Sequence, residues 1–143
     1  MSKRQRKLNE MFLDSYIDMD KICCRKFGVS SGGATAYINR LISTKLAPGR
    51  DEALQRLVKY RSIRNKFAHE SGALENITDI TKADLKWLDR FKKELNKNRD
   101  PFSAYLKKAR KLSRKKKAKK VAIVVLILLL IAAAAVAYFM LFK

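Results

Sequence analysis

The chain has 143 residues, with 33 Lys or Arg against 13 Asp or Glu and a formal net charge of +20. That length accommodates one modest domain with attachments, and so basic a surface implies an anionic partner, either nucleic acid or lipid. One histidine and two adjacent cysteines are too few ligands for a zinc site within one chain, so no metal or other cofactor is expected.

Residues 1–7, M-S-K-R-Q-R-K, have no apolar run and do not form a secretory signal. From Leu8 a helical stripe runs through Met11, Phe12, Ser15/Tyr16, Met19, Ile22/Cys23 and Phe27, as expected for a helix packed in a bundle. Cys23 and Cys24 point about 100° apart on such a helix and do not favour a vicinal disulfide. Both are expected to be reduced, with Cys23 in the core. The segment G-V-S-S-G-G at residues 28–33 ends this helix as a connector; it lacks the following Lys-Ser/Thr of a phosphate loop. A short second helix over residues 34–45 turns Tyr37, Ile38, Leu41 and Ile42 inward, and Ala47-Pro48-Gly49 breaks it.

The third helix starts near Asp51, which is expected to cap it or to favour its positive end, and carries Leu54, Leu57, Val58 and Ile63. Continuing the 54–57/58 stripe leads to Arg61, Arg64 or Asn65, and Ala68. Polar groups on a core-facing stripe are costly unless paired or bound to something, which marks the segment as a candidate site. A capping box at Thr81-Lys-Ala-Asp84 opens the fourth helix, with Leu85, Leu88, Phe91 and Leu95 on one side and Trp87 beside it. Asp100-Pro101 opens the fifth, aspartate as N-cap and proline at the first helical position. Phe102, Tyr105, Leu106, Ala109 and Leu112 are expected to return it to the bundle for about three turns.

Ten of the fourteen residues at 107–120 are basic and none is acidic, and residues 121–142 are then apolar without a charge. Twenty-two residues at about 1.5 Å each span about 33 Å, the thickness of a bilayer's hydrocarbon core. Tyr138 and Phe139 fall near the far end, where aromatic residues favour the interface. The predicted fold class is therefore all-α, a small antiparallel four- or five-helix bundle followed by a single C-terminal transmembrane helix. The domains are residues 1–112 (helical), 107–120 (basic juxtamembrane segment) and 121–142 (membrane span). The positive-inside rule keeps the basic run and the N-terminal domain cytoplasmic, giving a tail-anchored, single-pass protein of the cell inner membrane. The basic run suits an anionic lipid bilayer at about 1 kcal/mol per residue. It also suits RNA, and its place beside the span favours the lipid. Residues 1–100 alone carry 22 basic against 13 acidic side chains, as expected of a phosphate-backbone binder.

The chemistry is concentrated in residues 61–72, R-S-I-R-N-K-F-A-H-E-S-G. On a helix Asn65 and His69 lie one above the other, and Arg61 extends that stripe by a turn. Arg64 sits about 140° round from His69 and reaches it only through its long stem. Ser71 and Gly72 are expected to end the helix, Gly72 as a left-handed cap. Metal-free cleavage of RNA needs a group that moves protons near neutral pH, the habitual role of histidine. It also needs a forked cation on the phosphoryl oxygens, which arginine supplies. With one histidine per chain, acid and base roles divide most simply between two chains whose His69 residues face one cleft.

R-N-K-F-A-H at residues 64–69 resembles the R-polar-x(4–6)-H signature of the HEPN superfamily of small helical proteins; the resemblance extends over roughly residues 5–112. It implies a motif helix at a homodimer interface, with Arg64 and His69 as the catalytic pair and Asn65 at the polar position. It also implies a metal-independent endoribonuclease of toxin, abortive-infection or CRISPR-linked type, with RNA as partner and an inhibitory or activating protein of unknown identity. The alternative is a non-catalytic, tail-anchored helical module binding nucleotide, RNA or a protein at the inner membrane face.

Overall fold

The computed structural model describes residues 3–44 and 46–141, except the side chain of Phe139. The protein is all-α: α1 (Lys3–Phe27), α2 (Gly33–Ser43), α3 (Arg50–His69), a single turn α4 (Ala73–Asn76), α5 (Lys82–Asn96) and α6 (Pro101–Leu141). There are two units, residues 1–105 and residues 106–143.

In the first unit α1 is central, packing against α2, α3, α4 and α5. Its buried face is Phe12, Tyr16, Met19 and Cys23, and burial pushes the Cys23 thiol up to about 12, leaving it a core group rather than a nucleophile. Met11, expected inside, is half exposed. Asn9, outside the expected stripe, is fully buried. Its amide donates to the carbonyls of Leu74 (2.9 Å) and Ile77 (2.8 Å) and accepts from Gln5 (3.2 Å). One side chain thereby satisfies two carbonyls of the segment after α3, a necessity where backbone is buried.

The turn after α1 is a Schellman arrangement, with Gly28 at φ +66° and the Val29 N–H donating to Cys24 O at 3.1 Å. Helix α2 starts at Gly33, and no other residue fits there. An added Cβ would lie closer than 3.0 Å to Asp20 O, Cys24 N and Cys23 C, all backbone of α1. Gly33→Ala therefore forces the two helices apart. We expect a loss of about 1–3 kcal/mol, read as a fall of roughly 4–8 °C per kcal/mol in the midpoint followed by Trp87 fluorescence. Trp87 is the one tryptophan and is buried. Tyr37, Ile38 and Leu41 face inward, whereas Ile42, expected with them, is 55 % exposed.

A chain of aromatic rings crosses the core. Phe67 meets Phe12 (6.2 Å between centroids), Phe12 meets Tyr60 (5.3 Å), Tyr60 meets Trp87 (5.7 Å), Trp87 stacks on Phe91 (4.7 Å) and Phe91 meets Tyr37 (5.4 Å). The capping box opens α5: Thr81 Oγ1 accepts from the Asp84 N–H (3.4 Å) and the Thr81 N–H donates to the Asp84 carboxylate (2.8 Å). The Tyr60 hydroxyl donates to the same carboxylate at 2.7 Å, joining α3 to α5. Burial pushes the Asp84 carboxyl up, but the hydrogen bonds from Thr81 and Tyr60 outweigh it and hold it below its ordinary value.

Asp100 is fully buried and caps α6 through the Ser103 N–H (3.1 Å). It also accepts from the Tyr37 hydroxyl (2.8 Å) and from Lys26 (2.8 Å). Phe102 then packs on Phe27 (5.8 Å) and Ser103 is buried. The first unit ends at Tyr105, and Leu112 is 54 % exposed. Residues 101–141 are helical throughout, because nothing between Pro101 and the apolar stretch breaks a helix, so the helix opened by Asp100-Pro101 runs on into that stretch.

In the second unit α6 is the one helix among the described residues long and apolar enough to cross a membrane. Its described large apolar side chains, from Val121 to Leu141, are exposed. A soluble core helix would have them covered; their exposure is consistent with a membrane anchor. Tyr138 is described, whereas the Phe139 side chain, Phe142 and Lys143 lie outside the described residues.

Candidate functional site

Helix α3 begins at Arg50 with Gly49 as a left-handed N-cap; Asp51 sits in the first turn and pairs with Arg50 instead of capping. The buried residues of α3 are Ala53, Leu57, Tyr60 and Ile63, with Phe67 half-buried after them. Val58 is 41 % exposed. The inward stripe therefore runs 53–57–60–63–67 and the polar residues do not interrupt it. Arg61, Arg64 and Asn65 lie beside it because Tyr60, Ile63 and Phe67 supply the apolar contacts. Phe67, inside the motif, is held against Phe12. Packing thus anchors the last turn while Arg64, Asn65 and His69 remain exposed.

His69 is the last residue of α3, and the Glu70 N–H closes the helix on Lys66 O at 2.8 Å. Glu70 is extended at the C-cap. The predicted left-handed Gly72 is present (φ +73°), but it opens α4 and does not cap α3. The His69 side chain makes no hydrogen bond or ion pair among the described residues.

Arg61, Arg64 and Asn65 form one wall of an open cleft of about 630 Å³. Across it, α1 contributes Lys21 and Arg25, and the connector before α2 contributes Ser30 and Ser31. That connector, expected only to join two helices, is therefore part of the cleft. Arg64 Nη1 donates to Asn65 Oδ1 at 3.3 Å. Tyr16 forms part of the cleft, and its hydroxyl is pushed up to about 12, first by burial and then by Asp20, with Arg64 and Arg61 opposing.

Among the described residues Asp20 is the one carboxylate on the cleft. Its Oδ1 accepts the Ala34 N–H at 2.7 Å, capping α2 from a neighbouring helix. His69 is not among the cleft residues. The structure thus brings Arg61, Arg64 and Asn65 to one concave surface and leaves the imidazole outside it. Lys21, Arg25, Ser31 and Thr35 carry no motif that would have singled them out; their only signal was a basic, hydroxyl-rich composition either side of the first turn.

Residues 10–124 match the family of unknown function DUF6548. The chain belongs to that family. The DUF6548 match starts within α1, takes in every helix of the first unit and the basic run, and ends in the apolar stretch. No curated protein and no solved structure matches.

Proposed function

We propose that this DUF6548 protein is a metal-independent endoribonuclease of the HEPN type, held at the inner face of the cell membrane by α6. The observation that carries the reading is the division of α3: Tyr60, Ile63 and Phe67 serve the core, and the intervening polar residues have no core duty. A helix anchored by its apolar residues presents its polar ones with fixed geometry, as a catalytic constellation requires.

In the proposed reaction the 2′-hydroxyl of one nucleotide attacks the adjacent phosphorus. The P–O5′ bond breaks, the 5′-oxygen leaves with a proton, and a 2′,3′-cyclic phosphate remains. Arg64 stabilises the charge on the phosphoryl oxygens, His69 moves protons, and Asn65 and Arg61 hold the phosphate. Because His69 lies outside the cleft containing Arg64, the centre is completed by a second copy. The homodimer supplies one imidazole as base and one as acid. The basic run lies on anionic headgroups with the helical unit on the cytoplasmic side. A toxin or defence role under an inhibitory or activating protein follows from the HEPN resemblance.

The same position of His69 favours a second reading, a tethered module that binds RNA, nucleotide or a protein without cleaving. Full-length protein in neutral detergent, incubated with RNA and EDTA, separates the two. Cleavage leaving 2′,3′-cyclic phosphate ends is the expected result. Binding without cleavage gives the second reading, and neither binding nor cleavage ends the RNA assignment.

A further inference from the structure

Six cations elsewhere in the first unit are paired with carboxylates, and the four that line the cleft are not. Arg6, Lys26, Arg50, Arg56, Arg90 and Lys92 each reach a carboxylate within 4.0 Å. Lys21, Arg25, Arg61 and Arg64 reach none among the described residues, although all four line one concavity of about 630 Å³. Facing them is the single carboxylate of Asp20, which already accepts the Ala34 N–H at 2.7 Å and the Cys24 thiol at 3.7 Å. Four cations around one engaged carboxylate repel one another, and a concave low-dielectric wall concentrates their field. An anion placed between them relieves that repulsion. Ser31 and Thr35 line the same cleft and offer hydroxyl donors.

We propose that this cleft is a subsite for the phosphodiester backbone of single-stranded RNA. Lys21 and Arg25 of α1 face Arg61 and Arg64 of α3 across it, gripping phosphates next to the scissile one. The assignment rests on the RNA reading above and extends it to residues outside the α3 motif. Arg64 belongs to both sites, so RNA held here runs directly past the motif helix. The openness of the cleft suits a strand lying across it, and two forked guanidiniums on one wall suit phosphate oxygens.

The test uses full-length protein carrying His69→Ala, in nanodiscs of neutral lipid, with a fluorescent single-stranded RNA read by anisotropy. Adding Lys21→Ala and Arg25→Ala together should weaken binding about tenfold and lower the slope of log K against log salt by about 1.4. Both residues are exposed and unpaired, so circular dichroism should be unchanged. Lys7→Ala with Lys82→Ala removes the same charge outside the cleft and should weaken binding much less. Equal losses from both pairs, or no loss from the cleft pair, overturn the proposal.

If the parent cleaves RNA while the cleft pair binds as before, this inference fails and the nuclease reading stands. If the parent never cleaves but the cleft pair sets its RNA affinity, the subsite stands and the nuclease reading fails. A parallel arm measures flotation with anionic vesicles. Loss of vesicle binding in the cleft pair without loss of RNA binding assigns the cleft to lipid headgroup phosphates and overturns the RNA assignment.

Discussion

His69→Ala is expected to lower RNA cleavage by the full-length protein about 10²–10⁴-fold, the range over which a positioned acid or base contributes. The unfolding midpoint should stay in place. His69 is exposed at the end of α3, its side chain without a hydrogen bond or ion pair among the described residues, and such surface substitutions stay within about 0.5 kcal/mol. Arg64→Lys separates charge from geometry. It keeps the cation and loses the planar fork, so binding should fall less than cleavage. Gel-resolved single-turnover cleavage at saturating RNA measures both. A His69→Ala protein that cleaves at the parental rate ends the nuclease reading, whatever its affinity for RNA.

Asp100→Ala is expected to be the most destabilising single substitution in the helical unit, at about 3–5 kcal/mol. The carboxylate is fully buried and its partner Lys26 is 14 % exposed, with 2.8 Å between them. Removing it leaves an ammonium largely out of water, strips the Tyr37 hydroxyl of its acceptor, and uncaps the first turn of α6. Coupling Asp100→Ala to Lys26→Met should recover part of the loss, because an apolar pair carries no stranded charge. Chemical denaturation followed by Trp87 fluorescence is the measurement. Full additivity of the two substitutions would show that the ion pair is not what Asp100 contributes.

The same group sets a pH dependence. Burial pushes the Asp100 carboxyl up, but Lys26, Ser103 and Tyr37 together outweigh it and hold it below its ordinary value. Its folded pKa is therefore below its unfolded one, near about 3.9. The stabilisation is present above that unfolded value and is lost as pH falls through the folded one. The gap between parent and Asp100→Ala should accordingly be full near neutrality and narrow in acid. Asp84 is lowered in the same sense, so acid unfolding reports both.

Where local chemistry is sufficient, the structure agrees with the sequence. The Thr81–Asp84 box, the Asp100-Pro101 helix start and the apolar stretch each depend on residues within a few positions of one another, and each is present. Where the outcome depends on which of two adjacent stripes a neighbour covers, spacing alone does not decide it. On α3 both 54–58–61–65 and 53–57–60–63–67 are plausible faces by spacing. Tyr60 settles the choice because its ring fits between Phe12 and Trp87 while its hydroxyl finds Asp84. Asn9 and Asp100 escaped as core residues because polarity argues against burial until the partners that satisfy them are in place.

The residues alone determined an all-helical chain, its basic balance and the helix long and apolar enough to cross a membrane, because periodicity, capping chemistry and uninterrupted apolarity are properties of contiguous sequence. Tertiary structure decided which face of α3 is buried, that Arg61 and Arg64 meet Lys21 and Arg25 across a cleft, and that His69 lies outside it. Those positions depend on how closely α1 and α2 approach at Gly33 and on which aromatic rings fill the space between helices. Such distances arise from packing residues far apart in the chain.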